Sequence, residues 1–187
     1  MNRYRTLTVP GYEEVVSCTN EQVDFSAWIA VHNTNRGPAL GGCRVWNYST
    51  VDDAVTDVLR LSKGMTYKNS LARLPLGGGK CAVKANLKKV DRVALFESVG
   101  EFVETLEGRY ITAEDVNSTL DDMVHVQRST THVATVGASG NPSPFTAYGV
   151  YCAIKAGLRH ICGSSTLAGL RVAIQGVGET GGRLARM

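Results

Sequence analysis

Two lysines carry the most suggestive chemistry in this sequence. Lys80 follows three consecutive glycines, Gly77–Gly79, and precedes a short apolar stretch that alternates like a strand. Burial or a neighbouring cation makes a lysine easier to deprotonate, which suits a general base or a nucleophile. Lys68 is the candidate second cation. The segment is not a nucleotide-binding P-loop, because Leu74 and Cys81 stand where that motif requires a glycine and a hydroxyl residue.

A carboxylate pair provides a second candidate. Glu114 and Asp115 come at the end of a strand-like segment, where polar side chains can project into a cleft at a sheet edge. Asp115 can equally serve as the cap of the next helix, and composition alone does not separate the two roles. The acidic pair Asp121 and Asp122 is better explained as charge in the first turn of that helix.

A glycine-rich hexapeptide near the end of the chain predicts dinucleotide binding. It has the pattern GxGxxG and directly follows an apolar stretch, 171–175, that is typical of a buried strand. In such a turn the glycines permit a sharp bend, close approach of a pyrophosphate and packing of helix on strand. The predicted cofactor-binding residues are Gly176, Val177, Gly178, Glu179, Thr180 and Gly181. A plain glycine turn is the alternative, and the acidic residue expected to bind the ribose would lie past Met187.

Hydrophobic periodicity indicates the elements that must position these groups. It predicts strands at 15–18, 25–32, 81–85, 109–112, 132–136 and 171–175, and helices at 51–64, 93–106, 120–127 and 145–160. Thr50 and Asp53 form a capping box for the first helix, and Gly64 is expected to end it before a short helical piece at 65–74. Residues 37–44 contain too many glycines to predict a regular element. The proline- and glycine-rich segment 137–144 predicts a domain boundary, giving domains 1–136 and 137–187.

Composition excludes several classes of protein. The 187 residues suffice for one domain and the start of another, and 43% apolar residues can form a core. The net charge of +3 is no signature of nucleic-acid binding. With no apolar run long enough to span a bilayer and no signal peptide, we expect a cytoplasmic protein without membrane partners. The four histidines lack metal-like spacing, so no metal is expected, and the five cysteines fit reduced core residues.

Five segments resemble motifs of a known enzyme family and occur in the same order as in that family: GPALGGCR, GMTYK, PLGGGK, ITAEDVN and GNPSPFTAYGV. From about Val15 onward the sequence is similar to the leucine/phenylalanine/valine dehydrogenases, which are relatives of glutamate dehydrogenase. The resemblance implies oxidative deamination of an L-amino acid to the 2-oxo acid and ammonia, with NAD as cofactor, in a homo-oligomer. It implies an α/β fold, with a mixed-sheet substrate and oligomerisation domain flanked by helices. Only the start of a Rossmann-type dinucleotide domain would follow.

The resemblance also implies roles at matching positions. Lys80 and Asp115 match the catalytic residues, and Lys68 matches the cation that binds the substrate carboxylate. The further substrate-binding positions are Leu40, Gly41, Gly42, Met65 and Ala113, and Thr146 matches a contact to the nicotinamide end of the cofactor. Leu40 and Ala113 favour a branched aliphatic substrate, while the segments GGCR and TLDDMVHVQ are closer to phenylalanine enzymes.

Family members are about twice as long, so we expect this chain to be truncated and to turn over little substrate alone. Two rival hypotheses remain, a non-catalytic assembly module and a Schiff-base enzyme that uses Lys80.

Overall fold

The computed structural model describes residues 1–134 and 141–187. The chain divides into two compact units, residues 1–138 and 139–187, which are described separately. No helix in the described ranges is long and apolar enough to cross a membrane.

The first unit is built on one mixed sheet of six strands, in the order β1-β2-β3-β5-β4-β6. The strands are β1 Arg3–Leu7, β2 Glu14–Asn20, β3 Phe25–Asn33, β4 Ala39–Trp46, β5 Gly77–Lys84 and β6 Tyr110–Glu114. Strands β1, β2, β3 and β5 pair antiparallel, whereas β4 pairs parallel to both β5 and β6. The predicted mixed-sheet α/β fold is confirmed, and β1 is a strand that the sequence pattern did not predict.

Strand β4 corrects the expectation of an irregular segment at 37–44. Its glycines are needed because the neighbouring backbones come very close. A side chain at Gly41 would place its Cβ 1.8 Å from the Gly79 carbonyl oxygen, and one at Gly42 would lie 2.7 Å from the Asp115 Cβ. Glycine weakens an isolated strand, but here it is the residue that lets β4 fit between β5 and β6.

One helix, α1 (Val51–Leu71), replaces the two helical pieces expected on either side of Gly64. The capping box of Thr50 and Asp53 is present as predicted. The prediction of an end at Gly64 is wrong, because that glycine has no positive φ and the helix continues through it. Helix α1 covers one face of the sheet, where a core forms from Val15, Trp28, Ala30, Tyr48, Ala54, Val58 and Ala82.

The opposite face of the sheet is covered by two helices close to their predicted positions. Helix α2 spans Arg92–Glu104 and helix α3 spans Leu120–Gln127. Asp121 and Asp122 lie in the first turn of α3, where Asp122 completes a capping box with Thr119. The larger core of the unit lies here, and its bulkiest fully buried members include Tyr110, Phe96, Phe102, Ile29, Leu95 and Met123.

Over residues 132–134, the described part of the strand predicted at 132–136, the structure has an isolated parallel bridge between Val133 and Thr112 of β6. Residues 135 and 136 of that prediction lie outside the described residues, as do residues 137–140 of the predicted linker.

The second unit contains helix α4 (Ser143–Cys162) and a short helix α5 (Glu179–Leu184). Helix α4 begins two residues before the predicted start at 145, with Pro142 at its cap position. The strand expected at 171–175 is absent, and Val172 is half exposed. The physical reason is that a strand needs a neighbour for its backbone hydrogen bonds, and the described part of this unit offers no second strand. Cys152 and Cys162 are exposed on α4, which corrects the expectation that all five cysteines lie in a core.

Candidate active site

The first unit contains an ion pair between a buried lysine and a partly buried aspartate. Lys80 lies on β5 and is only 5% exposed. Its Nζ is 2.8 Å from Oδ2 of Asp115, which follows the last residue of β6. The structure thus brings together the two residues singled out for catalysis, and Asp115 pairs with a cation across the sheet.

The sheet order explains how two residues from β5 and the end of β6 meet. Strand β4 lies between the two strands, parallel to both, and Gly42 of β4 stands opposite Ala113 of β6. Alternate residues of a strand share a face, so Ala113 and Asp115 lie on the same face of the sheet. Because Gly42 has no side chain, the Asp115 side chain has room to reach over β4 towards Lys80.

A second cation, Arg44 of β4, contacts the same carboxylate. Its Nε lies 3.2 Å from Oδ2 of Asp115, and its Nη1 lies 2.9 Å from Oδ2 of Asp57 on α1. The sequence analysis did not single out Arg44. In the structure, strand alternation places Arg44 on the same face as Gly42, but the sequence offered no such signal because residues 37–44 were not predicted to form a strand.

Asp57 is held by three donors. Besides Arg44, the Tyr48 hydroxyl donates to Oδ2 of Asp57 at 2.8 Å, and Arg60 donates to Oδ1 at 2.9 Å. Burial alone would raise the pKa of Asp57, but these hydrogen bonds and the charge of Arg44 lower it below the ordinary value. The carboxylate is therefore ionised at neutral pH and can anchor Arg44.

The pKa of Asp115 is also set by opposing causes. Burial of the carboxyl group raises its pKa, but attraction to Lys80 and Arg44 and their hydrogen bonds outweigh burial. The net pKa lies below the ordinary value. Asp115 is thus ionised at neutral pH and is an acceptor of hydrogen bonds rather than a donor.

The predicted substrate cation, Lys68, lies near the end of α1 with its side chain exposed. Within residues 1–134 and 141–187, no carboxylate pairs with it at 4 Å or less. The end of α1 packs directly on the start of β5: Asn69 donates to the Gly77 carbonyl at 2.5 Å. A side chain on Gly78 would overlap Thr66. The glycines before Lys80 therefore let the helix that carries Lys68 contact the strand that carries Lys80.

The remaining predicted substrate positions surround this region in the sheet and α1. Leu40 and Ala113 are partly buried on β4 and β6, and Met65 is partly buried on α1. Gly41 is buried and its carbonyl accepts a hydrogen bond from the Tyr110 hydroxyl at 2.5 Å. That bond and the contact with Gly79 give Gly41 a packing role in β4.

The predicted cofactor residues all belong to the second unit. Gly176 has a φ of +87°, and Gly178 stands at the cap position of α5. A Cβ on Gly181 would lie 1.9 Å from the Gly176 carbonyl oxygen, so the first and third glycines of the motif pack against each other. Thr146 is exposed in the first turn of α4, where its hydroxyl donates to the Pro142 carbonyl at 3.2 Å. The turn has the form that the motif predicts, although the strand expected before it is missing.

Comparison with known proteins gives a consistent result. The family model for the Glu/Leu/Phe/Val dehydrogenase dimerisation domain matches residues 13–132. The chain is 44% identical over 190 residues to the leucine dehydrogenase of Geobacillus stearothermophilus, covering 100% of this chain and 52% of that protein. It is 44% identical over 191 residues to the phenylalanine dehydrogenase of Thermoactinomyces intermedius, covering 100% of this chain and 50% of that protein.

A solved structure is similar as well. The crystal structure of L-tryptophan dehydrogenase from Nostoc punctiforme matches with a TM-score of 0.71 and 40% identity, over 94% of this chain and 50% of that one. The chain thus spans about half the length of the relatives that it matches.

Proposed function

The chain belongs to the Glu/Leu/Phe/Val dehydrogenase family, and on that premise we propose that it serves the NAD-dependent oxidative deamination of a branched-chain L-amino acid to the 2-oxo acid and ammonia. The observation that carries this proposal is the contact between the buried Lys80 and the partly buried Asp115. A lysine and a carboxylate in contact are the two proton-handling groups that deamination through an imine requires.

The proposed roles follow from the chemistry of the reaction. NAD, when bound, would supply the hydride acceptor for the substrate α-carbon. Water then adds to the resulting iminium carbon, and Lys80 is assigned as the base that accepts a proton from that water, which requires Lys80 first to give up the proton that it holds in the ion pair with Asp115. Asp115 exchanges protons with the substrate nitrogen, which leaves as ammonia. Because its pKa is held low, Asp115 is ionised and can accept a hydrogen bond from the substrate ammonium, which places it to take the proton that the nitrogen must lose.

Lys68 is proposed to bind the substrate α-carboxylate. It is an exposed cation on α1 with no carboxylate partner within the described ranges, and α1 packs directly on the strand of Lys80. An unpaired ammonium can bind an anion without first breaking an ion pair, so less of the interaction free energy is lost.

The glycine turn of the second unit fits part of a dinucleotide site. The positive φ of Gly176 and the contact between Gly181 and the Gly176 carbonyl are features of a tight glycine turn before a helix. Gly176–Gly181 would hold the pyrophosphate, with Thr146 contacting the nicotinamide end. The strand that should carry the turn is absent from the described residues, so we expect NAD to bind weakly to these 187 residues.

Binding of the product provides the direct test. We expect 4-methyl-2-oxopentanoate to bind the 187-residue chain saturably in a calorimetric titration, and Lys68→Met to weaken that binding at least tenfold. Lys63→Met is the matched control, since Lys63 is also exposed on α1 and lies outside the proposed site. Absence of binding, or equal losses in the two variants, would contradict the proposal.

Turnover tests the substrate and the role of the second unit. NADH formation from L-leucine, L-valine and L-phenylalanine should be negligible with the 187-residue chain, because the described part of its second unit contains no strand. Turnover comparable with that of a complete dehydrogenase would refute this expectation. If turnover is measurable, a higher kcat/KM for L-phenylalanine than for L-leucine would favour the phenylalanine-type alternative. Borohydride trapping of a 2-oxo acid on Lys80 without NAD would support the Schiff-base alternative.

A second candidate function is assembly. The family model that matches residues 13–132 is that of a dimerisation domain. We propose on this observation that the chain associates with further copies of itself. Size-exclusion chromatography with light scattering should give a mass above that of one chain, and a strict monomer at all concentrations would contradict this role.

A further inference from the structure

We propose that Arg44 is a positioning residue for Asp115: its guanidinium holds the carboxylate against Lys80 and ties it, through Asp57, to the helix that carries Lys68. This inference rests on the proposed function for its meaning, although the contacts themselves do not depend on it. Arg44 is partly buried, with 24% of its side chain exposed, and both of its carboxylate contacts are ion pairs.

The contacts restrict the orientation of the Asp115 carboxylate. Lys80 and Arg44 both bind Oδ2, at 2.8 Å and 3.2 Å respectively. Two cations on one oxygen define the rotation of the carboxyl group, and hence the direction in which the other oxygen, Oδ1, points. Lys80 alone is a single point contact around which the carboxyl group can turn, so the second contact is the one that defines the orientation.

Arg44 is itself anchored on its other side. Its Nη1 binds Oδ2 of Asp57, which also accepts the Tyr48 hydroxyl, and only 12% of the Asp57 side chain is exposed. A guanidinium is planar and presents several N–H donors in a fixed arrangement, so it can bridge two carboxylates. A lysine ammonium is a compact charge on a flexible stem and would not hold the same bridge.

The bridge joins three elements of the proposed site. Arg44 lies on β4, Asp115 follows β6, and Asp57 lies on α1. Lys68 lies on that same helix, three turns after Asp57. One side chain therefore links the carboxylate that is proposed to exchange protons with the element that presents the proposed substrate cation.

A purely structural role for Arg44 makes a different prediction. If Arg44 only joined β4 to α1, its loss would lower stability and leave the titration of Asp115 unchanged. If it holds Asp115 ionised and oriented, its loss must let Asp115 take up a proton at higher pH. A neighbouring Arg typically lowers a carboxyl pKa by about one to three units, and Lys80 remains, so we expect the midpoint to rise by about one pH unit.

The test is a pH titration of the Asp115 side-chain carboxyl signal by ¹³C NMR, on the full 187-residue chain labelled at its aspartates. The signal is assigned as the one missing from Asp115→Asn. Arg44→Gln removes the cation, and Arg44→Met does so while keeping the aliphatic stem, so that a folded variant is available if one of the two fails to fold. Arg60→Gln is the matched control, because Arg60 contacts Asp57 but not Asp115.

We expect an upward shift of the Asp115 midpoint in a folded Arg44 variant and the wild-type midpoint in Arg60→Gln. An unchanged midpoint in a folded Arg44 variant, or an equal shift in Arg60→Gln, would overturn the inference. Binding of 4-methyl-2-oxopentanoate to the wild-type chain is followed in the same samples. If the 2-oxo acid does not bind but the Arg44 variant raises the titration midpoint of Asp115, the proposed function fails and the link between Arg44 and Asp115 stands.

Discussion

Gly79 directly precedes Lys80 and packs against the Tyr110 ring, and replacing it with alanine tests this packing. The added Cβ would lie 2.6 Å from Cδ2 and 3.0 Å from Cε2 of the Tyr110 ring, and 3.0 Å from the Ala39 Cβ. Tyr110 is fully buried, and its hydroxyl donates to the Gly41 carbonyl at 2.5 Å. The ring cannot move away from the new methyl group without straining that hydrogen bond.

The cost can be worked out from these contacts. Inserting a methyl group into a packed core costs about 1–3 kcal/mol, and weakening a buried hydrogen bond adds about 1 kcal/mol. We therefore expect Gly79→Ala to lower the free energy of unfolding by about 2–4 kcal/mol. With a urea dependence of about 2 kcal/mol/M, the unfolding midpoint should fall by about 1–2 M.

Urea unfolding is followed by the emission of Trp28, which is 4% exposed on β3 of the first unit. Gly64→Ala is the matched control: its Cβ meets no atom within 4 Å, and it lies inside α1. We expect that variant to gain about 0.5–1 kcal/mol, since alanine favours a helix over glycine.

A double variant identifies the clash partner. In a Tyr110→Leu background the cost of Gly79→Ala should shrink, because the aromatic ring is gone. An unchanged midpoint for Gly79→Ala, with the stabilisation of Gly64→Ala observed, would refute the idea that close packing requires glycine before Lys80.

Three further predictions concern the charges, caps and thiols. Asp115→Asn leaves Lys80 buried beside a neutral group and should cost about 2–4 kcal/mol of unfolding free energy at pH 7. The pKa of Asp115 is lower in the folded protein than in the unfolded chain, where it is about 3.9. The stability that Asp115 contributes is therefore fully present above about pH 3.9 and is lost as the pH falls through the folded-state pKa. The destabilisation caused by Asp115→Asn should accordingly become smaller in acid. Thr50→Ala removes the capping box of α1 and should cost about 1 kcal/mol in urea unfolding; no change would show that the box contributes nothing. Burial raises the pKa of the Cys18 thiol to about 12, and a hydrogen bond with Cys43 together with burial raises that of Cys81. A thiol reagent at pH 8 should thus quickly modify only the exposed Cys152 and Cys162 in the folded protein, and the buried cysteines only in denaturant. Fast modification of more than two cysteines in the folded protein would contradict the packing.

Local patterns identified most of the helices because helical periodicity depends on neighbours three and four residues apart. Helix α3 has the predicted bounds of 120–127, and the capping box of Thr50 and Asp53 is present. The patterns failed where a residue's neighbours are distant in sequence. The glycines at 41 and 42 looked unsuited to a strand until the backbones of β5 and β6 were placed beside them.

The same distinction applies to the site. Residue types and neighbours made Lys80 and Asp115 candidates, with helix capping open as an alternative for Asp115, and the family resemblance named their roles, which remain predictions. Arg44 was not singled out, because nothing adjacent to it in sequence marks it: its partner Asp115 is 71 residues away. The domain boundaries at 136 and 137 also stay a prediction from composition.

By itself, the sequence determined the family, the helices and strands with strong periodicity, and the residue types able to handle protons. Only the tertiary structure decided that β4 lies between β5 and β6, that Lys80 and Arg44 contact one oxygen of Asp115, and that α1 packs directly on the start of β5. The physical reason is the separation in sequence between the residues that interact. Helix formation and capping are set by interactions within a few residues, whereas strand order, close backbone approach and ion pairing are set by residues tens of positions apart.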